Sequence, residues 1–199
     1  MFNEPIYLKV SDDGNSFEYL PKFIKSPEAE RLFSSLQQSI DWQHLPIILF
    51  GKKVMQPRLT AWCAIDDKEY VYSGLKMKVQ QMPQELYSLL EMVSQQCQTQ
   101  FNSVLLNYYR DGQDSMGWHR DNEPELGSEP IIASVSLGGE RLFKIRKYRD
   151  HQHKAQLVLE HGSLLVMRPP SQRLFEHALP KVKTVVSPRI NLTFRQIID

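Results

Sequence analysis

Residues 101–123 read FNSVLLNYYRDGQDSMGWHRDNE, and within them His119 and Asp121 lie two apart. In a strand, side chains i and i+2 point the same way, so the imidazole and the carboxylate would sit side by side. Two neutral imidazoles and one carboxylate on one octahedral face make a non-haem Fe(II) site with three positions left open. The missing histidine is sought in another strand. His177, in the short apolar segment LFEHALP (174–180), is the candidate. The His-x-Asp tripeptide alone also recurs by chance, so the site needs support from elsewhere in the chain.

That support comes from the C-terminal segment. From Arg189 to Arg195 the residues alternate: Arg189, Asn191, Thr193 and Arg195 share one face, Ile190, Leu192 and Phe194 the other. A polar face with an arginine at each end suits a small dicarboxylate, because guanidinium groups pair with carboxylates in bidentate fashion. Buried arginines without an anion would be costly.

Composition sets the outer bounds. With 199 residues, 41% hydrophobic and 24% charged, the chain fits one ordinary globular domain over 1–199. A net charge of +1 gives no bulk signal for a polyanionic partner, so nucleic-acid binding would rest on local patches. Cys63 and Cys97 form no Cys-x-x-Cys pair, which leaves a zinc ribbon or disulfide framework unsupported and suits a reducing cytosol. The start, MFNEPIYLKVSDDG, lacks the basic and apolar regions of a signal peptide, and no apolar run reaches the ~20 residues that cross a bilayer. The expectation is a cytoplasmic protein without membrane contact, acting as a monomer.

Along the chain, strands are expected at 5–10 and 16–20, then a helix capped by Ser26 with Pro27 first and Leu32, Phe33, Leu36 and Ile40 on one face. Strands 58–64 and 69–73 read as a pair joined at 66–68. A second helix begins at Pro83, with Leu86, Leu89, Leu90, Val93 and Cys97 on its apolar face. Eight short strands follow, at 103–109, 116–121, 131–137, 141–147, 156–160, 163–167, 174–178 and 189–198. The expected fold is mainly β with flanking helices (α+β), a jelly-roll or double-stranded β-helix core with two helices packed outside. The basic run 141–154 admits two readings: a solvated face, or a phosphate-contacting ridge of Arg141, Lys144, Arg146, Lys147 and Arg149.

Taken together, Asn107-Tyr108-Tyr109, His119-Arg120-Asp121, His177 and Arg189 to Arg195, in this order, resemble the AlkB family of Fe(II)- and 2-oxoglutarate-dependent nucleic-acid dealkylating dioxygenases. PRLTAW (57–62), YVYSG (70–74), IIASVSLG (131–138) and HGSLLVM (161–167) extend the likeness over roughly residues 45–199. The resemblance implies Fe(II) held by His119, Asp121 and His177, with 2-oxoglutarate and O2 as co-substrates. Asn107, Tyr109, Arg189, Asn191 and Arg195 would bind 2-oxoglutarate. Residues 1–100 would be an N-terminal extension with a nucleotide-recognition lid, and 101–199 the catalytic core.

The implied reaction is oxidative demethylation of 1-methyladenine and 3-methylcytosine in DNA, single- or double-stranded, as direct-reversal repair. Tyr70, Tyr72, Ser73, Arg58 and Glu123 would contact the base. A ring at Tyr72 suits a cationic base, with a cation–π contribution of about 1–2 kcal/mol. Phe50, at the end of the apolar run LPIILFG (45–51), has two readings: a wedge that holds open the base stack, or a core residue. Lys52, Lys53, Arg110, Lys181 and Lys183 would grip the backbone. The alternatives are an oxygenase of the same type acting on methylated RNA or a non-nucleic-acid substrate, and a metal-binding jelly-roll module without turnover.

Overall fold

The computed structural model describes residues 4–8, 10, 16–49, 52–65, 70–72, 75–151 and 154–198. In chain order, β1 (Ile6–Tyr7) and β2 (Phe17–Leu20) precede helix α1 (Ser26–Ser39). Then come β3 (Pro46–Leu49), β4 (Lys52–Met55), β5 (Leu59–Ala64), β6 (Tyr70–Tyr72), β7 (Leu75–Met77), β8 (Val79–Gln80) and helix α2 (Gln84–Cys97). The second half holds β9 (Ser103–Tyr109), β10 (Met116–His119), β11 (Ile132–Gly138), β12 (Arg141–Lys147), β13 (Lys154–Leu159) and β14 (Ser163–Met167). A short helix α3 (Ser171–Leu174), β15 (Phe175–Leu179) and β16 (Arg189–Arg195) complete it.

Two sheets face each other. The larger runs β1-β2-β14-β11-β16-β9-β5-β8 and the smaller β10-β15-β12-β13. With the helices outside, this is the jelly-roll arrangement expected from the strand pattern. Its central strands are buried on both faces: every residue of β16 is buried, and in β9 all but Tyr108. The alternation in β16 therefore separates two interiors. Ile190, Leu192 and Phe194 pack with Leu36 of α1 and with Leu86, Leu90 and Val93 of α2. The polar set turns into the space between the sheets. There the inner cluster includes Trp62, Leu105, Phe143, Ile145 and Leu179.

Helix α1 starts one residue earlier than the capping reading placed it. Lys25, extended and without a side-chain cap bond, precedes it, and Ser26 is its first residue. The missing Pro27 N–H falls among the unpaired amides of the first turn in either register, so proline alone does not set the boundary. The ribbon over 58–73 also differs. β5 pairs antiparallel with β9 and parallel with β8, while β6 pairs with β7 as a separate two-stranded sheet. β5 buries Thr60, Ala61, Trp62 and Cys63, which suits a strand paired on both sides in a large sheet better than an exposed hairpin. β3 and β4 form a hairpin of their own, with all of β4 exposed.

The chain passes from one sheet to the other at Gly138-Gly139. Gly138 has φ +83°, and a Cβ there would meet Pro188 O at 2.4 Å; one on Gly139 would meet Ser187 O at 2.2 Å. Gly139 N donates to Pro188 O across 2.8 Å. Only glycine allows this approach, and it anchors the backbone just ahead of Arg189.

Candidate active site

Strand pairing builds the metal site. β10 and β15 run antiparallel with His119 opposite His177, and their rings lie 4.2 Å apart between centroids. β10 ends at His119, so Asp121 enters from the segment just beyond the strand rather than from within it. One donor atom from each of His119, Asp121 and His177 lies within 4.8 Å of the others. This is a two-histidine, one-carboxylate set, the donor chemistry that suits Fe(II) with open positions.

Each ligand is held by a neighbour. His119 Nδ1 is 2.9 Å from Gly117 O, and a carbonyl only accepts, so Nδ1 carries the proton and Nε2 keeps its lone pair. Asp121 N donates to Gln172 Oε1 across 2.9 Å, and Arg195 Nη2 donates to Asp121 Oδ1 across 2.5 Å. Burial works to raise the Asp121 pKa, but Arg195, His177 and His119 outweigh it and hold the carboxyl below its ordinary range. Burial first, then the neighbouring His119 and Arg195, lower His177 to about 3 against the opposing pull of Asp121. Both groups therefore stand at neutral pH in their ligating forms, carboxylate and neutral imidazole.

A cavity opens from these ligands along the inside of the large sheet. Its polar wall comes from β9 and β16, whose register sets Tyr109 opposite Arg189 and Asn107 opposite Asn191. Leu105, Met116, Phe143, Leu159, Met167 and Leu179 supply apolar wall. Arg189, 1% exposed, donates to Ser136 Oγ (2.9 Å) and Asn191 Oδ1 (2.7 Å). Asn191 Nδ2 donates on to Thr193 Oγ1, and Ser134 Oγ donates to Asn191 Oδ1. Every acceptor of Arg189 named here is neutral, and its Nε has no partner among the described residues. Burial lowers the Arg189 pKa to about 10, which still leaves it charged at pH 7. A buried cation with only neutral partners calls for an anion, and a dicarboxylate that also reaches the metal position would supply one.

A family model described as the 2OG-Fe(II) oxygenase superfamily matches residues 16–195. The DNA oxidative demethylase ALKBH2 of Mus musculus is 36% identical over 205 residues, covering 98% of this chain and 85% of that protein. The chain belongs to the AlkB family of 2OG-Fe(II) oxygenases. The alpha-ketoglutarate-dependent dioxygenase alkB homolog 3 of Mus musculus is 35% identical over 187 residues, 89% of this chain. The match spans 64% of that relative's length. The solved structure of OsALKBH1 superposes with a TM-score of 0.71 at 18% identity, covering 96% of this chain and 99% of that one, a likeness of fold. The cofactors of the AlkB family, Fe(II) with 2-oxoglutarate and O2, fit the donor set and the anion-seeking Arg189.

The other residues singled out in the sequence are placed as follows. Arg58 is buried and committed: it donates to Asn107 Oδ1 (2.9 Å), Gln56 Oε1 (2.5 Å) and Ser115 O (3.3 Å), so in this arrangement it orients Asn107. Glu123 is half-buried at the head of the 3-10 turn Pro124–Leu126. Lys52 and Lys53 are exposed on the β3–β4 hairpin, as are Lys181 and Lys183 on the β15–β16 loop. The Arg110 guanidinium donates twice to the Asp114 carboxylate, both at 2.8 Å, which neutralises the charge read as a backbone contact. Phe50 and Ser73 lie outside the described residues, and so do the side chains of Tyr70 and Tyr72.

The basic ridge is only partly a ridge. Arg141 points inward and is buried, while Arg146 bonds Glu176 at 2.6 Å and stacks on Trp118 at 3.9 Å. Gln172, which holds the Asp121 backbone, was not foreseen. It follows Arg-Pro-Pro-Ser on a four-residue helix, and no periodic signal marks it.

Proposed function

We propose that this chain is an Fe(II)- and 2-oxoglutarate-dependent oxygenase that demethylates alkylated bases, 1-methyladenine and 3-methylcytosine, in DNA, a direct-reversal repair. The carrying observation is the convergence of His119, Asp121 and His177 on one end of a cavity whose other polar wall holds Arg189. The relation to a DNA oxidative demethylase along 98% of the chain supports the substrate class.

In this reading His119 Nε2, His177 and an Asp121 carboxylate hold the iron. Arg189 and Tyr109 take the distal carboxylate of 2-oxoglutarate, while Asn107 and Asn191 line its path. When bound, iron with 2-oxoglutarate as the two-electron donor, released as succinate and CO2, would let O2 place one oxygen atom on an N-methyl group to give N-hydroxymethyl. That group then leaves as formaldehyde, restoring the base. The chain contributes placement: the apolar wall of Leu105, Phe143 and Leu179 excludes water, and the fixed ligands set where the metal stands relative to a base entering the cavity. The exposed lysines 52, 53, 181 and 183 are available to backbone phosphates.

The test is anaerobic reconstitution with Fe(II), then 2-oxoglutarate and air with single- and double-stranded DNA, and matched RNA, carrying one 1-methyladenine. Restored base and formaldehyde, both lost in His119→Ala, are expected on DNA. Succinate without base repair would overturn the substrate and keep the iron chemistry. Absence of succinate would overturn the enzyme.

A further inference from the structure

Arg141 is the second buried guanidinium at the Tyr109 end of the cavity, and nothing in the reaction described above uses it. Its side chain is 2% exposed, yet it is not among the residues lining the cavity. Nη1 donates to Asp111 O (3.1 Å), and Nη2 donates to Asp114 O and Pro180 O (both 2.8 Å). Its Nε has no partner among the described residues.

All three acceptors are carbonyls, which satisfy N–H groups without neutralising the charge. The carboxylate of Asp114 is already taken by Arg110. Arg141 is therefore a buried cation with no carboxylate hydrogen-bonded to it; Asp114 and Asp111 pull on its charge from a distance, and burial outweighs them. Its field falls on the co-substrate end. The guanidinium carbons of Arg141 and Arg189 lie over the same Tyr109 ring, 5.9 and 5.3 Å from its centroid. Behind burial itself, and against the pull of Tyr109, the Arg141 charge is what lowers Arg189. Two like charges over one ring repel, and an anion bound beside Arg189 relieves the repulsion.

We infer that Arg141 is a positioning residue for the dicarboxylate: held by carbonyls from the loops before β10 and after β15, it places a second positive charge near Tyr109 and tightens binding of the distal carboxylate without touching it. The inference rests on the 2-oxoglutarate reading of the cavity and not on which base is repaired.

The test compares wild type, Arg141→Gln and Arg141→Lys as the Mn(II)-loaded proteins, by calorimetry, with no nucleic acid present. The ligands are 2-oxoglutarate and 2-oxobutyrate, which lacks the distal carboxylate. Arg141→Gln keeps an amide donor for the loop carbonyls and removes the charge. It is expected to weaken 2-oxoglutarate about tenfold, the scale of one charge acting from roughly 12 Å in an effective dielectric near 20, and to leave 2-oxobutyrate unchanged. Arg141→Lys is expected to stay near wild type. Equal 2-oxoglutarate affinity in all three proteins would overturn the inference. So would parallel loss of both ligands, or failure of both variants to fold, since either makes Arg141 a structural clamp alone. If wild type itself does not bind 2-oxoglutarate, the cavity reading falls first and the inference with it.

Discussion

Arg195 and Asp121 meet across 2.5 Å, both almost fully buried, so the last residue of β16 is joined to the carboxylate of the metal set. Removing one partner leaves a buried charge alone, which typically costs about 3–5 kcal/mol. Arg195→Met should lower the metal-free protein's stability by that order in urea denaturation at pH 7. A loss under 1 kcal/mol would mean that water replaces the arginine.

The pH dependence of the metal-free protein follows from His177 and Asp121. His177 is held at about 3 when folded and returns to about 6.5 when unfolded, so the unfolded chain binds more protons between these values. Stability should therefore fall as pH drops from about 6.5 toward 3, by at most ~1.4 kcal/mol per unit from this group. The depressed Asp121 adds a loss in the same direction below about pH 4, as its carboxylate is protonated. Denaturation midpoints of wild type and His177→Gln across pH 4–7 check this. Parallel curves would exclude His177 as the source.

Cys63 and Cys97 are both buried, and burial pushes both thiols up to about 12. The thiolate is the reactive form, so iodoacetamide at pH 8 should label neither in the native protein and both in denaturant. Mass spectrometry of the intact chain counts the adducts. Rapid native labelling would show that α2 or β5 opens.

Gly139→Ala forces a methyl group against Ser187 O, 2.2 Å from its ideal position. The strain displaces backbone two residues before Arg189 and should weaken 2-oxoglutarate more than Mn(II), with a stability loss of roughly 1–3 kcal/mol. Calorimetric titration of each ligand separates the effects. Equal weakening would point to general loosening.

By contrast, Leu36→Ala removes a fully buried side chain that packs α1 against the outer face of the large sheet. A cavity of this kind costs about 2–5 kcal/mol, with no expected change in 2-oxoglutarate affinity at a temperature where the variant stays folded. Thermal unfolding and calorimetry together test it.

Much of this architecture is readable along the chain because periodicity reports faces. The alternation from Arg189 to Arg195 separated cavity from core, and the spacing of Leu86, Leu89, Leu90, Val93 and Cys97 gave the buried side of α2. Periodicity does not report partners, which is why β5 and β6 were read as a ribbon although β5 pairs with β9 and β8 in the large sheet. Charge hides direction in the same way. In β12, Arg141, Phe143 and Ile145 share the inward face, but the neighbouring lysines and arginines make the segment read as uniformly exposed. Gln172 was illegible for another reason, since its contact with Asp121 spans 51 residues and depends on tertiary placement.

The pairing of His119 with His177 also bears on how the molecule assembles. The two imidazoles are brought together only when strands far apart in the chain have zipped, so the ion cannot nucleate a local hairpin as it does in a zinc finger. Loading is then a late event that traps a finished topology. At a free-ion concentration a hundred times the dissociation constant, it would deepen the native basin by about 2.7 kcal/mol. Chelation would speed the unzipping of β10 from β15 before it disturbs the helices outside.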